Sequence, residues 1–539
     1  MKRNIILIII FSISALFRFW NLTKYPVSLS MDEVAIGYNA YSILKTGTDE
    51  YGEFLPLAFK STGDYKPPVN VYLTVPSIFL FGLNEFAVRF PSALLGSLTP
   101  IVLVLLLIKL KIKPTSAYLT GIWLAVLPWH VHFSRASFEA ITALFFLILG
   151  TYMFINWVED QKSWKMVIWI ISFSLSVWAY HAERLFVPLF VIGLIIFYRR
   201  QINILKNKKQ LILGLLVLSI FAIPFIKLTF LTPAIKTRAL STSIIRENTL
   251  SNSLHNGNYK NNLDFVFNND YYLIFRHWLG KYLNYFNFEF LFWNGLELTK
   301  VGYPNIGLLY FIDLPIIFIG LFSLIKSKNK LIKKIVLLWF LLGPLPASLT
   351  MNEHHPLRAL VWIPVFSIII AKGYEAIFEL KSKLLLIIYL ILLSINVFYF
   401  SDVYLYQSPK HFSEYWQYGF EEIGNYVCQN KNKYNEIVIS DTFGSDGPLN
   451  TGLPYLYVLF YCQMDPQKFI NTRLASDRLY VENISFHRIT WRVDSTKPNT
   501  LLIAAPWDFL DSNIPKNQII KEINFLNNKP AFLFVTTNK

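Results

Sequence analysis

Apolar residues run through this chain in long blocks, and polar residues gather in the gaps between them. A helix needs roughly 20 mostly apolar residues to cross a bilayer, with some tolerance for tilt. Blocks of about that size fall at 4–20, 88–108, 115–133, 138–157, 166–181, 185–198, 210–230, 305–325, 335–350, 357–371 and 384–400, which predicts about eleven spans. Residues 71–82 are apolar but short and interrupted by Pro76, and read as an interfacial or re-entrant helix. The opening MKRNIILIIIFSISALFRFW is basic and then apolar, like a signal peptide. No small-x-small cleavage site follows, so it reads as an uncleaved first span.

The polar gaps are not alike. Lys2-Arg3, Lys109/Lys111/Lys113, Lys162/Lys165, Arg199/Arg200/Lys206/Lys208/Lys209, Lys326/Lys328/Lys330/Lys333/Lys334 and Lys372/Lys381/Lys383 crowd alternate loops. The intervening short loops hold Arg135, Arg184 and Arg358, one each. This asymmetry places the N-terminus inside, and puts the long segments 21–87, 231–304 and 401–539 outside. It also explains the net charge of +16 without a nucleic-acid partner. Only 16% of residues are charged and 54% are hydrophobic, a balance foreign to a soluble protein.

The texture changes near residue 401. Asn435–Ser440, Thr500–Ala505 and Ala531–Thr536 read as short buried strands, and His411–Val427 and Gln518–Ile523 as helices. The expected architecture is a polytopic α-helical membrane domain over 1–400, followed by a small extracytoplasmic α/β domain over 401–539. Such a domain is long enough for its own core. Both cysteines, Cys428 and Cys462, lie in it. They form either a disulfide or two buried thiols, depending on how near their Cα atoms come. No internal repeat is visible, which disfavours a secondary transporter.

The chemistry-bearing residues converge on the external side. Asp32-Glu33 follows the first span, at the start of the helical pattern Met31–Leu44. Acidic residues there can simply favour the helix dipole. Asp64-Tyr65-Lys66-Pro67-Pro68 sets a lysine before a proline-started helix, an arrangement suited to a phosphate. Arg89, at the entry to the second span, reads as an interface anchor. Three short external loops repeat the theme: His130 to Glu139 with His132 and Arg135, Tyr180-His181-Ala-Glu183-Arg184, and His354-His355-Pro-Leu-Arg358. Charges at span ends are costly and usually functional. Neither histidine pair has the i, i+4 spacing of a helical zinc site, so no metal is expected, although Asp32, Asp49, Glu50 and Asp64 leave a divalent ion open.

In combination these motifs resemble the GT-C integral-membrane glycosyltransferases (glycosyltransferase family 39-like). The resemblance points to the dolichyl-phosphate-mannose-protein mannosyltransferase branch, which includes the bacterial aminoarabinose transferases of lipid A. It rests on Asp32-Glu33, Lys66-Pro67, the segment Gly82-Leu-Asn-Glu-Phe86-Ala-Val88-Arg89-Phe-Pro91, Ser134-Arg135, Tyr180-His181 with Arg184, Asn287-Phe-Glu-Phe-Leu-Phe292 and His355-Pro-Leu-Arg358, within about residues 1–400. Where the lipid A enzymes carry Glu before the lysine, this chain has Tyr65, with Asp64 one residue further back. The resemblance implies a polyprenyl-phosphate sugar donor used at the outer face, with Asp32 in the catalytic position and Lys66 at the lipid phosphate.

The chemistry fits those residue types. An acceptor hydroxyl must lose a proton as it attacks the anomeric carbon, so one carboxylate serves as base. The phosphate leaves already anionic and needs no acid, unlike a glycosidase's leaving group. Cations stabilise its growing charge. The expected catalytic residues are Asp32 and Glu33. The phosphate candidates are Lys66, Arg135, Arg184 and Arg358, and further candidates are Asp64, Glu139, His181 and His355. The long loop 231–304, with Arg238 and the aromatic run Tyr282–Trp293, could cover a lipid groove. Acceptors left open are a protein, a lipid headgroup or an envelope glycan. Rival classes are a ligase or polymerase using a diphosphate-linked donor, and a flippase. The first usually lacks an acidic pair in its first loop, and the second places its charges near mid-bilayer.

Overall fold

The computed structural model describes residues 2–61, 64–202, 208–232, 243–244, 270–295, 305–351, 354–380, 382–447, 450–451, 453–474, 479–509 and 514–537. Arg238, Lys206 and Lys381 lie outside the described residues.

The apolar blocks fold as helices: α1 (Lys2–Phe19), α2 (Met31–Thr46), α3 (Pro68–Phe81), α4 (Glu85–Lys109), α5 (Pro114–Val126), α6 (Pro128–Arg135), α7 (Glu139–Asp160), α8 (Ser163–Ala179), α9 (Glu183–Tyr198) and α10 (Lys208–Leu231). After them come α11 (Asp270–Asn284), α12 (Asp313–Lys326), α13 (Lys330–Leu342), α14 (Ile363–Glu379) and α15 (Lys383–Asp402). Six helical stretches among the described residues are long and apolar enough to cross a membrane: Glu85–Lys109, Glu139–Asp160, Lys208–Phe230, Lys330–Ser348, Leu360–Glu379 and Leu384–Phe412. The other five predicted blocks form shorter or more charged helices, among them α8 with 17 residues, α9 with 16 and α12 with 14. The block 115–133 is broken, because Pro128 has no N–H to continue α5 and instead starts α6.

Close packing marks the bundle. Gly320 on α12 and Gly373 on α14 face each other's helix so tightly that a Cβ at Gly320 would lie 2.0 Å from Ile369 O, and one at Gly373 2.3 Å from Ile316 O. By contrast, much of α10 and α15 is exposed, as expected of surfaces that face lipid.

Beyond residue 401 lie α16 (Phe420–Asn430), α17 (Pro454–Tyr461) and α18 (Pro466–Leu474). The strands among the described residues are β1 (Phe59–Ser61) and β2 (Asp64–Lys66) in the first loop, then β3 (Glu436–Ile439), β4 (Thr442–Phe443), β5 (Asn450–Thr451), β6 (Tyr480–Val481), β7 (Ile484–Phe486), β8 (Thr500–Ala504), β9 (Ile519–Asn524) and β10 (Pro530–Thr536). One six-stranded sheet runs β6-β7-β3-β8-β10-β9. β3 lies parallel to β7 and β8, while β10 is antiparallel to β8 and β9. Of residues 518–523, predicted as a helix, 519–523 instead lie in edge strand β9 and Gln518 ends the turn before it. IIKEIN is β-branched at three of six positions and pairs across a short turn with β10. The helix predicted over 411–427 is interrupted, and α16 starts only after Gly419, which takes φ +102°.

The expected self-contained core is not what the packing shows. One apolar cluster joins Val34, Ile36, Tyr38 and Val88 of the N-terminal part to Phe420, Tyr457, Phe460, Ile437 and Phe532. Among the described residues, a smaller cluster on the opposite face of the sheet, with Val438, Leu502 and Val535, belongs wholly to the tail. Cys428 and Cys462 form a disulfide that ties α16 to the end of α17. The contact is closest at Gly37 on α2, where a Cβ would meet Val88 Cγ2 at 2.6 Å and Phe460 Cε2 at 2.7 Å. Gly37→Ala should therefore cost about 1–3 kcal/mol through overpacking. Combining it with Phe460→Leu should recover part of that loss. Thermal unfolding of the detergent-purified protein measures both, and an unchanged midpoint for Gly37→Ala would contradict the contact.

Candidate functional site

Helix α2 begins with a reciprocal cap. Ser30 Oγ accepts from Glu33 N, and Ser30 N donates to Glu33 Oε2 at 2.9 Å. Successive residues on a helix point about 100° apart. Glu33 is thereby turned inward and Asp32 outward. The two neighbours have opposite fates.

Glu33 is 3% exposed at its side chain. Its Oε1 accepts from Arg89 Nε at 2.9 Å and Ser137 N at 3.2 Å, and Oε2 also faces Arg89 Nη2 at 3.4 Å. Arg89, fully buried, donates onward to the carbonyls of Leu22, Pro26 and Ser28. The interface-anchor expectation for Arg89 is thus corrected: with no exposed surface it cannot snorkel, and it clamps the first loop instead. The expectation of a catalytic Glu33 meets the same geometry, since both oxygens are held in an ion pair and backbone bonds.

Asp32 is 44% exposed at its side chain and accepts from Lys66 Nζ at 2.6 Å. Lys66 ends the β1–β2 hairpin, paired with Phe59, and Pro67-Pro68 then opens α3. The lysine is therefore fixed just ahead of a helix N-terminus, whose partial positive charge favours anions. Asp64 begins strand β2. The C-terminal part completes the frame. Gln417 Oε1 accepts from Met31 N at 2.6 Å, and the hydroxyl of Tyr457 lies 2.9 Å from both Gln417 Oε1 and Leu29 O. Burial, then the charges of Glu33 and Asp32, push that hydroxyl well above its usual range, so it stays a donor.

His181 approaches the same hairpin, with Nε2 3.2 Å from Tyr65 O. Two residues on, Glu183 is 2% exposed with Oε2 lacking any hydrogen bond. Arg184 stacks on Phe225 at 5.4 Å and lines a cavity of about 430 Å³ between α8, α9 and α10. Otherwise that cavity is almost wholly apolar, with Trp169, Phe173, Trp178, Val187, Leu215 and Phe225 among its walls. The result is a greasy groove with one cation in its lining, next in chain to the histidine that touches the Lys66 hairpin.

The remaining candidates sit elsewhere. Arg135 donates to the carbonyls of Phe17, Trp20, Asn21 and Tyr25, closing the C-terminal end of α1. Arg358 donates to Thr350 Oγ1 at 2.5 Å, in a knot where Lys281 Nζ donates to Met351 O. His355 N donates to Tyr285 OH, and His354 stacks on Phe290 at 4.5 Å. Glu139 starts α7. His132 is buried among Phe133, Phe138, Tyr404 and Trp416. Asp49 and Glu50 are committed away from Asp32: Asp49 Oδ1 accepts from Tyr51 N and Glu53 N, and Glu50 accepts from Asn39, Tyr455 and Arg473. Among the described residues, no group of three or more His, Cys, Asp or Glu is placed to hold a metal ion.

Sequence reasoning missed Gln417 and the Arg473–Glu50 tie, because both link segments about four hundred residues apart. It also missed the α8–α10 groove. The aromatic and apolar residues spaced along residues 169–178 were its only local signal.

Residues 8–231 match the family model described as dolichyl-phosphate-mannose-protein mannosyltransferase. A Bacillus subtilis (strain 168) relative, "Putative mannosyltransferase YkcB", is 24% identical over 247 residues, covering 44% of this chain and 32% of its own. An uncharacterized Aquifex aeolicus (strain VF5) protein is 25% identical over 182 residues, covering 32% of this chain and 36% of its own. The matches thus span about a third of the length of each curated relative. In three dimensions the chain shares the fold of ArnT from Cupriavidus metallidurans, solved bound to undecaprenyl phosphate, with a TM-score of 0.51 and 12% identity over 98% of this chain and 97% of that one. The resemblance to GT-C membrane glycosyltransferases holds.

Removal of either partner in a buried ion pair typically costs about 3–5 kcal/mol, whereas an exposed pair is worth about 0–1 kcal/mol. Glu33→Gln and Arg89→Met should therefore lower the unfolding midpoint sharply, and Asp32→Asn, whose carboxylate is half-exposed although Lys66 is not, should lower it less. Calorimetry on the three variants side by side would show this. Equal midpoints would remove Glu33 from the framework.

Proposed function

From a multi-pass membrane chain that carries a dolichyl-phosphate-mannose-protein mannosyltransferase domain over residues 8–231, we propose a glycosyltransferase. It moves a sugar from a polyprenyl-phosphate donor to a hydroxyl acceptor at the external face. The observation that carries this reading is the Asp32–Lys66 pair, seated on a hairpin that His181 links to the Arg184 groove.

The lipid half of the donor sets the approach. Each CH₂ drawn from lipid into water costs about 0.8 kcal/mol, so the chain stays in apolar surroundings and enters sideways. The α8–α10 groove supplies such a path. The phosphate then meets Arg184 and Lys66, and the N-terminal end of α3 adds its partial positive charge. Before the donor arrives, Lys66 neutralises Asp32. When the phosphate takes Lys66, the carboxylate is released beside the anomeric carbon. The phosphate thereby frees the base it needs.

The transfer is a single displacement. Asp32 accepts the proton of the acceptor hydroxyl, the acceptor oxygen bonds to the anomeric carbon, and the bond from that carbon to the phosphate oxygen breaks with its electron pair. Polyprenyl phosphate leaves as an anion held by Lys66 and Arg184. One carboxylate suffices, which agrees with Glu33 being committed to Arg89. Arg135 serves α1 and drops out of the phosphate set. Arg358 and His355 belong to the knot with Lys281 and are not assigned a part in the transfer.

Asp32→Asn should lower kcat by about 10²–10⁴, the usual contribution of a general base. Lys66→Ala should raise the KM for the donor as well as lower kcat. Both are read with radiolabelled polyprenyl-phosphate monosaccharide and envelope extract, using protein in nanodiscs. Near-normal turnover by Asp32→Asn would overturn the mechanism. The product linkage should be inverted by NMR, and retention would require a covalent intermediate instead. Activity should survive a chelator, and loss of it would point to a divalent ion at Asp32.

A further inference from the structure

A second cavity, of about 370 Å³, lies where the first loop meets the C-terminal part. Its lining is Ser28, Tyr418 and Gly419, one face of α16, and Lys521 on β9. The α16 face is a helical stripe: Glu421, Asn425 and Gln429 stand at i, i+4 and i+8, with Glu422 and Tyr426 in the next row. At 1.5 Å per residue the stripe is about 12 Å long. Every side chain in this lining carries a hydrogen-bonding group, and none is aliphatic apart from the stem of Lys521.

Several of those groups are uncommitted and open to solvent, with Glu421, Glu422, Asn425 and Gln429 all exposed. Among the described residues the carboxamides of Asn425 and Gln429 make no hydrogen bond, and no Lys or Arg pairs with Glu421. Partial burial, then the charges of Glu85 and Glu422, hold the Glu421 carboxyl above its usual range, with Arg89 opposing. Lys521 pairs with Glu422 at 2.7 Å and lies over the Tyr426 ring at 5.3 Å. Free donors and acceptors are thus interleaved with two tyrosine rings, which offer flat apolar faces and polar tips. Vicinal hydroxyls on a sugar ring need that pattern, whereas a purely cationic ligand would leave the carboxamide N–H groups unanswered.

Ser28 O accepts from Arg89, the residue that holds Glu33, and Tyr418 follows Gln417, which caps α2. Ser28 is four residues from Asp32. Even a fully extended chain puts them at most about 14 Å apart. The cleft and the proposed base share one framework.

We propose that this cleft seats the carbohydrate part of the acceptor, a hydroxyl-rich oligosaccharide laid along α16 with its reacting end toward Asp32. The acceptor role rests on the transferase reading, but carbohydrate binding does not, and the two are tested apart. Saturation-transfer NMR with chitotriose, mannotriose and maltotriose on the full chain in nanodiscs, without any donor, reads binding alone. At least one trisaccharide should bind to the donor-free protein. Glu421→Gln combined with Asn425→Ala should weaken it at least tenfold, and Gln429→Ala several-fold, while Glu482→Gln, an exposed acid outside the cleft, should not. Near-UV circular dichroism confirms that the variants fold. No saturable trisaccharide binding by folded wild type, or binding indifferent to the α16 variants, overturns the proposal. So does displacement of the sugars by a lysine-rich peptide that binds the same stripe more tightly, which would make the cleft a peptide site.

Discussion

The site rests on one buried ion pair. Taking Glu33 and Arg89 out of water costs several kcal/mol per ion, and their mutual attraction alone does not offset this. What does is the set of further hydrogen bonds: Ser30 N and Ser137 N to the carboxylate, and the carbonyls of Leu22, Pro26 and Ser28 to the guanidinium. Those bonds gather the chain before α2, the first turn of α2 and the turn before α7 around one point. With Glu33 anchored inward, helix geometry leaves Asp32 facing out toward Lys66. A charged, rigid framework thus supports a single exposed carboxylate.

The C-terminal part belongs to this framework rather than hanging from it. Its helix α17 packs on α2 at Gly37, Gln417 caps the first turn of α2, and Arg473 reaches Glu50 at 3.1 Å. Burial pushes the Glu50 carboxyl up, with Arg473, Asn39 and Tyr455 pulling it back. A buried acid so placed is tolerable only while the tail is docked. The cleft beside α16 follows from the same docking, because one wall comes from the first loop and the rest from the tail.

Much of this was legible in the sequence where the signal is local. Six of the eleven predicted blocks fall in helices long and apolar enough to cross a membrane, and the runs at 435–440, 500–505 and 531–536 coincide with β3, β8 and β10. Asp32 and Lys66, thirty-four residues apart, each stand in a motif of the resemblance, and the structure brings them to 2.6 Å. Errors arose where tertiary contact decides. Arg89 looks like an anchor until Glu33 folds over it. Arg135 looks like a free cation until the open end of α1 takes its donors. Residues 518–523 alternate too weakly for a strand until β10 supplies a partner. No local pattern distinguishes two adjacent carboxylates, one structural and one exposed.

The most direct test of the account is a structure of the protein with polyprenyl phosphate bound. In that complex the lipid chain should lie in the groove between α8, α9 and α10, the phosphate on Arg184 and Lys66, and Lys66 Nζ should be drawn away from an Asp32 carboxylate now open to the acceptor side. A phosphate held elsewhere, on Arg358 for instance, with the Lys66–Asp32 pair intact, would contradict it.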